Sequence, residues 1–161
     1  MSWAIIDVDG VLADVRHRLE FIQTKPKDWD AFFGAAPHDA VLPQGLARAQ
    51  QLAEQHTLVY LTGRPERCRN DTQHWLDKHS FPPGEIVMRP DTDRRPARFF
   101  KLNQARRLAR SDEVAVVVDD DDAVIDTLQT EGFTVEHATW MDDVEQGQAT
   151  LFDAQEREGR T

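Results

Sequence analysis

Three stretches of this chain, Trp3 to Val8, Thr57 to Thr62 and Val114 to Val118, are short apolar and β-branched runs that end abruptly in polar residues. A strand with one face in water alternates apolar and polar side chains. A strand covered on both faces has no reason to alternate, and these three do not. Weaker strands are predicted at Glu85 to Met88 and Phe133 to Ala138. Between them lie helical patterns: Gln44 to about Gln55, Pro65 to about His79, about Phe99 to Ala109, and Ala123 to Glu131. Strands alternating with helices predict an α/β fold, a parallel sheet sandwiched between helical layers. In such sheets ligands gather beyond the carboxyl ends of the strands. The polar residues that close the three main runs therefore converge on one edge: Asp7 and Asp9, Thr62-Gly63-Arg64, and Asp119 to Asp122.

The segment between the first two strong strands is less regular. Asp14 to Thr24 carries Val15, Leu19 and Ile22 at helical spacing, Asp28 to Phe33 reads as a second short helix, and Gly34 to Gly45 reads as loop broken by Pro37 and Pro43. The 161 residues suffice for one domain with a small insert, since a chain of this size buries roughly two-thirds of its unfolded surface. No run approaches a membrane span, the N-terminal Met1-Ser2-Trp3 lacks a signal pattern, and Cys68 is alone, so the expected location is the cytoplasm. Nothing in the sequence specifies an oligomeric state.

The net charge of −10 argues against a protein that coats nucleic acid. The average conceals an asymmetry. Residues 64–110 hold 12 Lys/Arg against 6 Asp/Glu, a local +6 that leaves −16 for the remainder. An acidic part suits a cation and a basic part suits an anion, although solvated surface faces explain the same pattern.

Four groups of residues offer chemistry. Asp7-Val8-Asp9-Gly10 places two carboxylates just past a buried strand, where a hard cation relieves their repulsion. One carboxylate can attack phosphorus while the other moves a proton, though a turn or a calcium loop can have the same spelling. Thr62-Gly63-Arg64-Pro65 sets a hydroxyl and a backbone amide where a helix is predicted to begin, a phosphate cradle or a plain helix cap. Lys101 lies on a basic helix near Arg94, Arg95 and Arg98, either exposed or reaching a phosphate oxygen. Asp119 and Asp120 complete the cation site in the catalytic reading, whereas Asp121 or Asp122 caps the following helix. A receiver domain also opens with a strand and acidic pair, but only 39 residues follow Asp122, too few for the rest of one.

The order of these elements resembles the haloacid dehalogenase superfamily from Trp3 to Trp140, with Asp7-x-Asp9, Thr62, Lys101 and Asp119-Asp120 as its four motifs. The resemblance implies a Rossmann-like three-layer parallel sheet in strand order 5-4-1-2-3. It implies a domain over residues 1–140, a small helical cap insert at about 14–44, and an acidic extension at 141–161. Asp7 would be the nucleophile and Asp9 the general acid/base, with Thr62 and Lys101 on the phosphoryl group. The expected cofactor is Mg2+, held by Asp7, the Asp9 backbone carbonyl, and Asp119 or Asp120.

Within the superfamily the chain is similar to the phosphatase domain of bacteriophage polynucleotide kinase/3′-phosphatase. The likeness rests on Asp7-Val-Asp-Gly-Val-Leu-Ala-Asp with His17-Arg18, on Asp28-Trp-Asp-Ala-Phe-Phe, on Thr62-Gly63-Arg64-Pro-Glu, and on Met88-Arg89-Pro90. It implies that Arg18, Gly63 and Arg64 bind substrate, and that the substrate is a phosphorylated nucleic-acid 3′ end. At one position the chain departs from that family, with Ala97 where an Asp precedes the lysine by four residues. No P-loop spelling occurs, so no kinase half is expected in this chain. The function expected is a Mg2+-dependent phosphomonoesterase working through an aspartyl-phosphate. The alternatives are a small-molecule or nucleotide phosphatase and a catalytically silent phosphate-binding module.

Overall fold

The computed structural model describes residues 1–141 and 145–161, and the side chains of 142–148 are outside the description. Five strands form one parallel sheet: β1 (Trp3–Ile6), β4 (Thr57–Pro65), β5 (Gly84–Arg89), β6 (Val114–Asp119) and β7 (Val135–His137). Their spatial order is β5-β4-β1-β6-β7, which is the expected 5-4-1-2-3 order read from the opposite edge. Outside this sheet a small antiparallel pair joins β2 (Ala13–Asp14) to β3 (Ala40–Val41).

The unbroken apolar runs follow from the layering. Ala4, Ile6, Leu58, Tyr60, Val116 and Val118 face one helical layer, while Ile5, Val59, Leu61 and Val117 face the other. Both faces exclude water, so both sets are apolar. The second layer is built by α5 (Ala97–Ala109) and α6 (Asp122–Thr130), through Phe100, Ala105, Leu108, Val124 and Leu128. The first contains α3 (Pro43–Ala53) and α4 (Arg69–Lys78), through Leu52, Trp75 and Leu76, and is closed by the segment between β1 and β4. Asp121 begins α6, its carboxylate accepting from the Ala123 amide at 2.9 Å.

The segment from 14 to 44 differs from its sequence reading. The helix expected over Asp14 to Thr24 shrinks to a 3-10 turn at Arg16–Arg18 and α1 (Glu20–Gln23). β2 takes Asp14 into strand pairing, and the chain turns extended at Thr24, which ends α1. α2 (Trp29–Gly34) follows, capped by Asp28, and the expected loop of Gly34 to Gly45 contains a further 3-10 turn and β3. Past the sheet, α7 (Glu145–Phe152) leads into a π-helical turn over Asp153–Arg157. The acidic extension expected at 141–161 lies partly outside the described residues, but its later part packs inward. Leu151 and Ala154 join the core on the first face. No helix among the described residues is long and apolar enough to cross a membrane.

Candidate active site

Strand register places the first acids. Ile6 lies opposite Tyr60 on one side and Val118 on the other, so Asp7, Thr62 and Asp119 emerge at the ends of neighbouring strands. The Asp7 amide donates to the Val118 carbonyl at 3.0 Å, which ties the start of the Asp7 turn to β6. Asp7, Asp119 and Asp120 bring one carboxylate oxygen each within 4.8 Å of one another, all three buried. Lys101 reaches them from α5, its Nζ 2.6 Å from Asp119 Oδ2 and 3.0 Å from Asp7 Oδ1.

One ammonium does not neutralise three carboxylates. Burial raises the Asp7 carboxyl to about 7 against the pull of Lys101, with Asp119 and Asp9 adding to the rise. Asp120 is pushed up by burial and by the charges of Asp7 and Asp119. Burial likewise lifts Asp121 to about 9, helped by its contact with Glu156. Asp7 Oδ2, Asp120 Oδ1 and Asp121 Oδ2 have no hydrogen-bond partner. Orphaned, crowded, all-oxygen and negative, this set fits a hard divalent cation such as Mg2+. The carboxylate of Asp9 is not part of it.

Asp9 turns the other way, into a second buried cluster. Its Oδ1 accepts from Arg18 Nη2 at 2.9 Å and from Arg64 Nε and Nη2 at 3.0 and 2.6 Å. Burial disfavours its charge, but the two guanidiniums and the hydrogen bonds from Arg64 and Thr161 outweigh burial and hold the carboxyl below its usual range. The same arginines share a second acid that the sequence reading passed over. Arg18 Nε and Nη2 donate to Asp39 at 2.8 and 2.9 Å, and Arg64 Nη2 donates to it at 3.1 Å. His17 Nε2 lies 2.6 Å from the same carboxylate. Asp39 is fixed through its backbone too, since the buried Trp75 donates its indole N–H to the Asp39 carbonyl at 2.9 Å.

Thr62 and Gly63 lie just before Arg64 at the end of β4, not at a helix start. β4 runs on to Pro65, paired with Arg89 of β5, a 3-10 turn follows, and α4 begins only at Arg69. The helix expected from Pro65 is displaced because ladder pairing holds that residue extended. Thr62 Oγ1 accepts from the Arg64 amide at 3.1 Å, so the hydroxyl stabilises the turn of its own chain. A Cβ built on Gly63 would stand 2.2 Å from the carbonyl carbon of Thr161, so only glycine fits there. Arg89 is fully buried beside it, donating to the carbonyls of Gly63, Arg95 and Thr161 at 3.0, 2.6 and 3.2 Å. Burial lowers its guanidinium to about 10. Ala97, at the start of α5, is buried within the second apolar layer and offers no polar contact.

The geometry is a carboxylate with one free oxygen, a buried lysine, a cation-shaped acidic set and a caged pair of arginines, all at the carboxyl edge of the sheet. The sequence family of polynucleotide kinase PNKP phosphatase domains matches residues 2–141. The chain belongs to that family. It is accordingly a haloacid dehalogenase superfamily phosphatase, a phosphoric monoester hydrolase. No curated protein sequence matches it. Among solved structures it is similar to a chain of the Pnkp1/Rnl/Hen1 RNA repair complex, with a TM-score of 0.70 and 19% identity over 85% of this chain and 42% of that one. The class C acid phosphatase from Bacillus anthracis superposes with a TM-score of 0.62 and 12% identity, over 81% of this chain and 61% of that one. The magnesium-bound HAD-hydrolase YfnB from Bacillus subtilis gives a TM-score of 0.61 and 11% identity, over 86% and 88%. The chain spans less than half the length of the repair-complex protein that it matches.

Proposed function

We propose that this phosphatase is Mg2+-dependent and removes the terminal phosphate from polynucleotide 3′ ends by way of a phosphoryl group carried on Asp7. The observation that carries the reading is the pair of fully buried arginines, Arg18 and Arg64, held between Asp9 and Asp39 beside the nucleophile's turn. Two cations with no solvent and only shared counter-charges form a receptor for an anion that enters the site. That this chain shares its family with the phosphatase domains of polynucleotide kinases supports a nucleic-acid end as the phosphate's carrier.

In the first half-reaction an Asp7 oxygen bonds to phosphorus, the ester P–O bond breaks, and Asp9 delivers its proton to the departing oxygen. In the second, Asp9 takes a proton from water, the water oxygen bonds to phosphorus, and the acyl-phosphate bond breaks to release phosphate and restore Asp7. Asp9 must hold a proton to serve, yet in the resting site its arginines favour the charged form. An entering phosphoryl group draws Arg18 and Arg64 toward itself, which weakens their hold and lets Asp9 take up the proton. Lys101 neutralises charge on Asp7 and on the phosphoryl oxygens, while Thr62 and the Gly63 amide line the phosphoryl side. Asp7, Asp119 and Asp120, with the Asp9 backbone carbonyl, would hold Mg2+, which would neutralise phosphoryl charge as a Lewis acid.

The test is Mg2+-dependent phosphate release from a 3′-phosphorylated oligonucleotide, a 5′-phosphorylated one and a 3′-nucleotide. Asp7→Asn, correctly folded, is expected to release none. Equal rates on all three substrates would discard the 3′-end preference, and a fully active Asp7→Asn would discard the mechanism.

A further inference from the structure

The polypeptide beyond α7 does not lie on the surface. After Ala154 anchors in the core, residues 155–161 run across the carboxyl edge of the sheet and reach the site. Gln155, Glu156 and Thr161 are all buried. The Thr161 hydroxyl donates to Asp9 Oδ2 at 2.8 Å, and its carbonyl accepts from Arg89. Its backbone presses on Gly63 so closely that no side chain fits there. The approach is tight as well: a Cβ on Gly159 would stand 2.2 Å from the Arg94 carbonyl oxygen, so the segment threads beneath the loop after β5.

Charge holds the segment along its length. Glu156 accepts from the Arg98 backbone amide at 3.2 Å and from Arg98 Nη1 at 2.6 Å. Lys27 pairs with Glu158, and the Arg160 guanidinium stacks 5.0 Å above the Trp29 ring. Arg160 also lines a cleft of about 470 Å³ with Lys27, Asp28, Trp29, Asp30 and Arg67. The floor beside Asp9 is thus occupied from within the chain.

The Thr161 hydroxyl stands at hydrogen-bond distance from Asp9, the group that must protonate the oxygen leaving phosphorus. An ester oxygen and the Thr161 hydroxyl cannot share that place. We propose that residues 155–161 are an intrachain strap that competes with substrate, occupying the subsite where the leaving group of a phosphate monoester lies, and that turnover requires it to withdraw. The inference rests on the roles proposed above for Asp7 and Asp9 but not on the 3′-end preference.

An occupied site lowers apparent affinity by the fraction of open molecules, so loosening the strap should act on KM. In the full chain, Glu158→Gln with Arg160→Gln removes the Lys27 ion pair and the stacking on Trp29 without touching the residues of the site. With p-nitrophenyl phosphate as substrate, the double variant is expected to show a KM about fivefold lower, with kcat within about twofold of the parent. An unchanged or higher KM in a folded variant overturns the strap. Should the variant fail to fold, hydrogen–deuterium exchange on the parent protein decides. Saturating orthovanadate, which takes up the leaving-group position, is expected to speed exchange of the 155–161 amides, and exchange that stays the same or slows overturns the proposal. Loss of 3′-end selectivity would leave both readouts untouched, so the two readings fail separately.

Discussion

Replacing Asp39 with alanine isolates the arginine cage. Asp9, Asp39, Arg18 and Arg64 carry two charges of each sign, and none is more than 2% exposed. Asp39 accepts three hydrogen bonds from the two guanidiniums. Without it the cluster keeps one carboxylate for two cations, a net positive charge with no water to screen it. Removing one member of such a pair costs about 3–5 kcal/mol, set against about 5–15 kcal/mol for the stability of a whole domain. Asp39→Asn keeps the shape and one acceptor oxygen, so about 1.5–3 kcal/mol is expected, the range for hydrogen bonds to charged groups. Urea unfolding followed by fluorescence of the four tryptophans measures both. Inorganic phosphate supplies the discriminating arm. It stabilises the parent by about 1.8 kcal/mol at a concentration of about twenty times its Kd. In Asp39→Asn it also replaces a missing negative charge, so the gain should be larger. A cost below about 1 kcal/mol for alanine, or a phosphate gain no larger than the parent's, refutes the cage as an anion receptor.

Two further outcomes are expected. Lys101→Met removes the one ammonium that touches Asp7 and Asp119 among the described residues, so stability near pH 8 should fall by about 3–5 kcal/mol. Its kcat should fall at least about 100-fold; calorimetry and steady-state rates check the two, and a variant with near-normal kcat would remove Lys101 from the phosphoryl site. The pH dependence follows from Asp7, whose carboxyl stands at about 7 in the fold against 3.8 unfolded. Between those values the folded protein holds a proton that the unfolded chain releases, so metal-free stability falls as pH rises through that window. Asp9 has the opposite sign, but its effect lies below the ordinary carboxylate range. Mg2+ displaces protons from the acidic set, so its stabilising effect in thermal melts should be larger at about pH 8 than at about pH 5. An equal or reversed effect would count against Asp7, Asp119 and Asp120 as the cation's ligands.

What was legible in the sequence was set by short-range periodicity. The sheet could be read because Ile5, Val59 and Val117 on one face are as apolar as Ile6, Tyr60 and Val118 on the other, a pattern only two-sided burial produces. Once those strands were placed, Asp7, Thr62 and Asp119 followed, because each is the residue on which a strand runs out. Lys101 and Arg18 came through family likeness, since nothing in a basic helix or a short turn marks the one side chain that points inward. Pro65 misled because its ring suits a helix start as well as a strand end, and the ladder with Arg89 decided between them.

Asp39 and the strap had no local signal at all. Asp39 sits in a loop whose Pro and His neighbours spell irregular backbone, and its partners are 21 and 25 residues away. Thr161 meets Asp9 across 152 residues, within the acidic extension. Yet Asp9 is held in its charged form, and in the proposed mechanism it donates a proton only when something lets it be protonated. Two arginines and a threonine hydroxyl hold it in the charged form, and each also has a claim on the space the substrate would enter. An ester that takes the arginines and evicts the hydroxyl removes all three constraints in one event. In the proposed mechanism, proton delivery is then coupled to substrate occupancy.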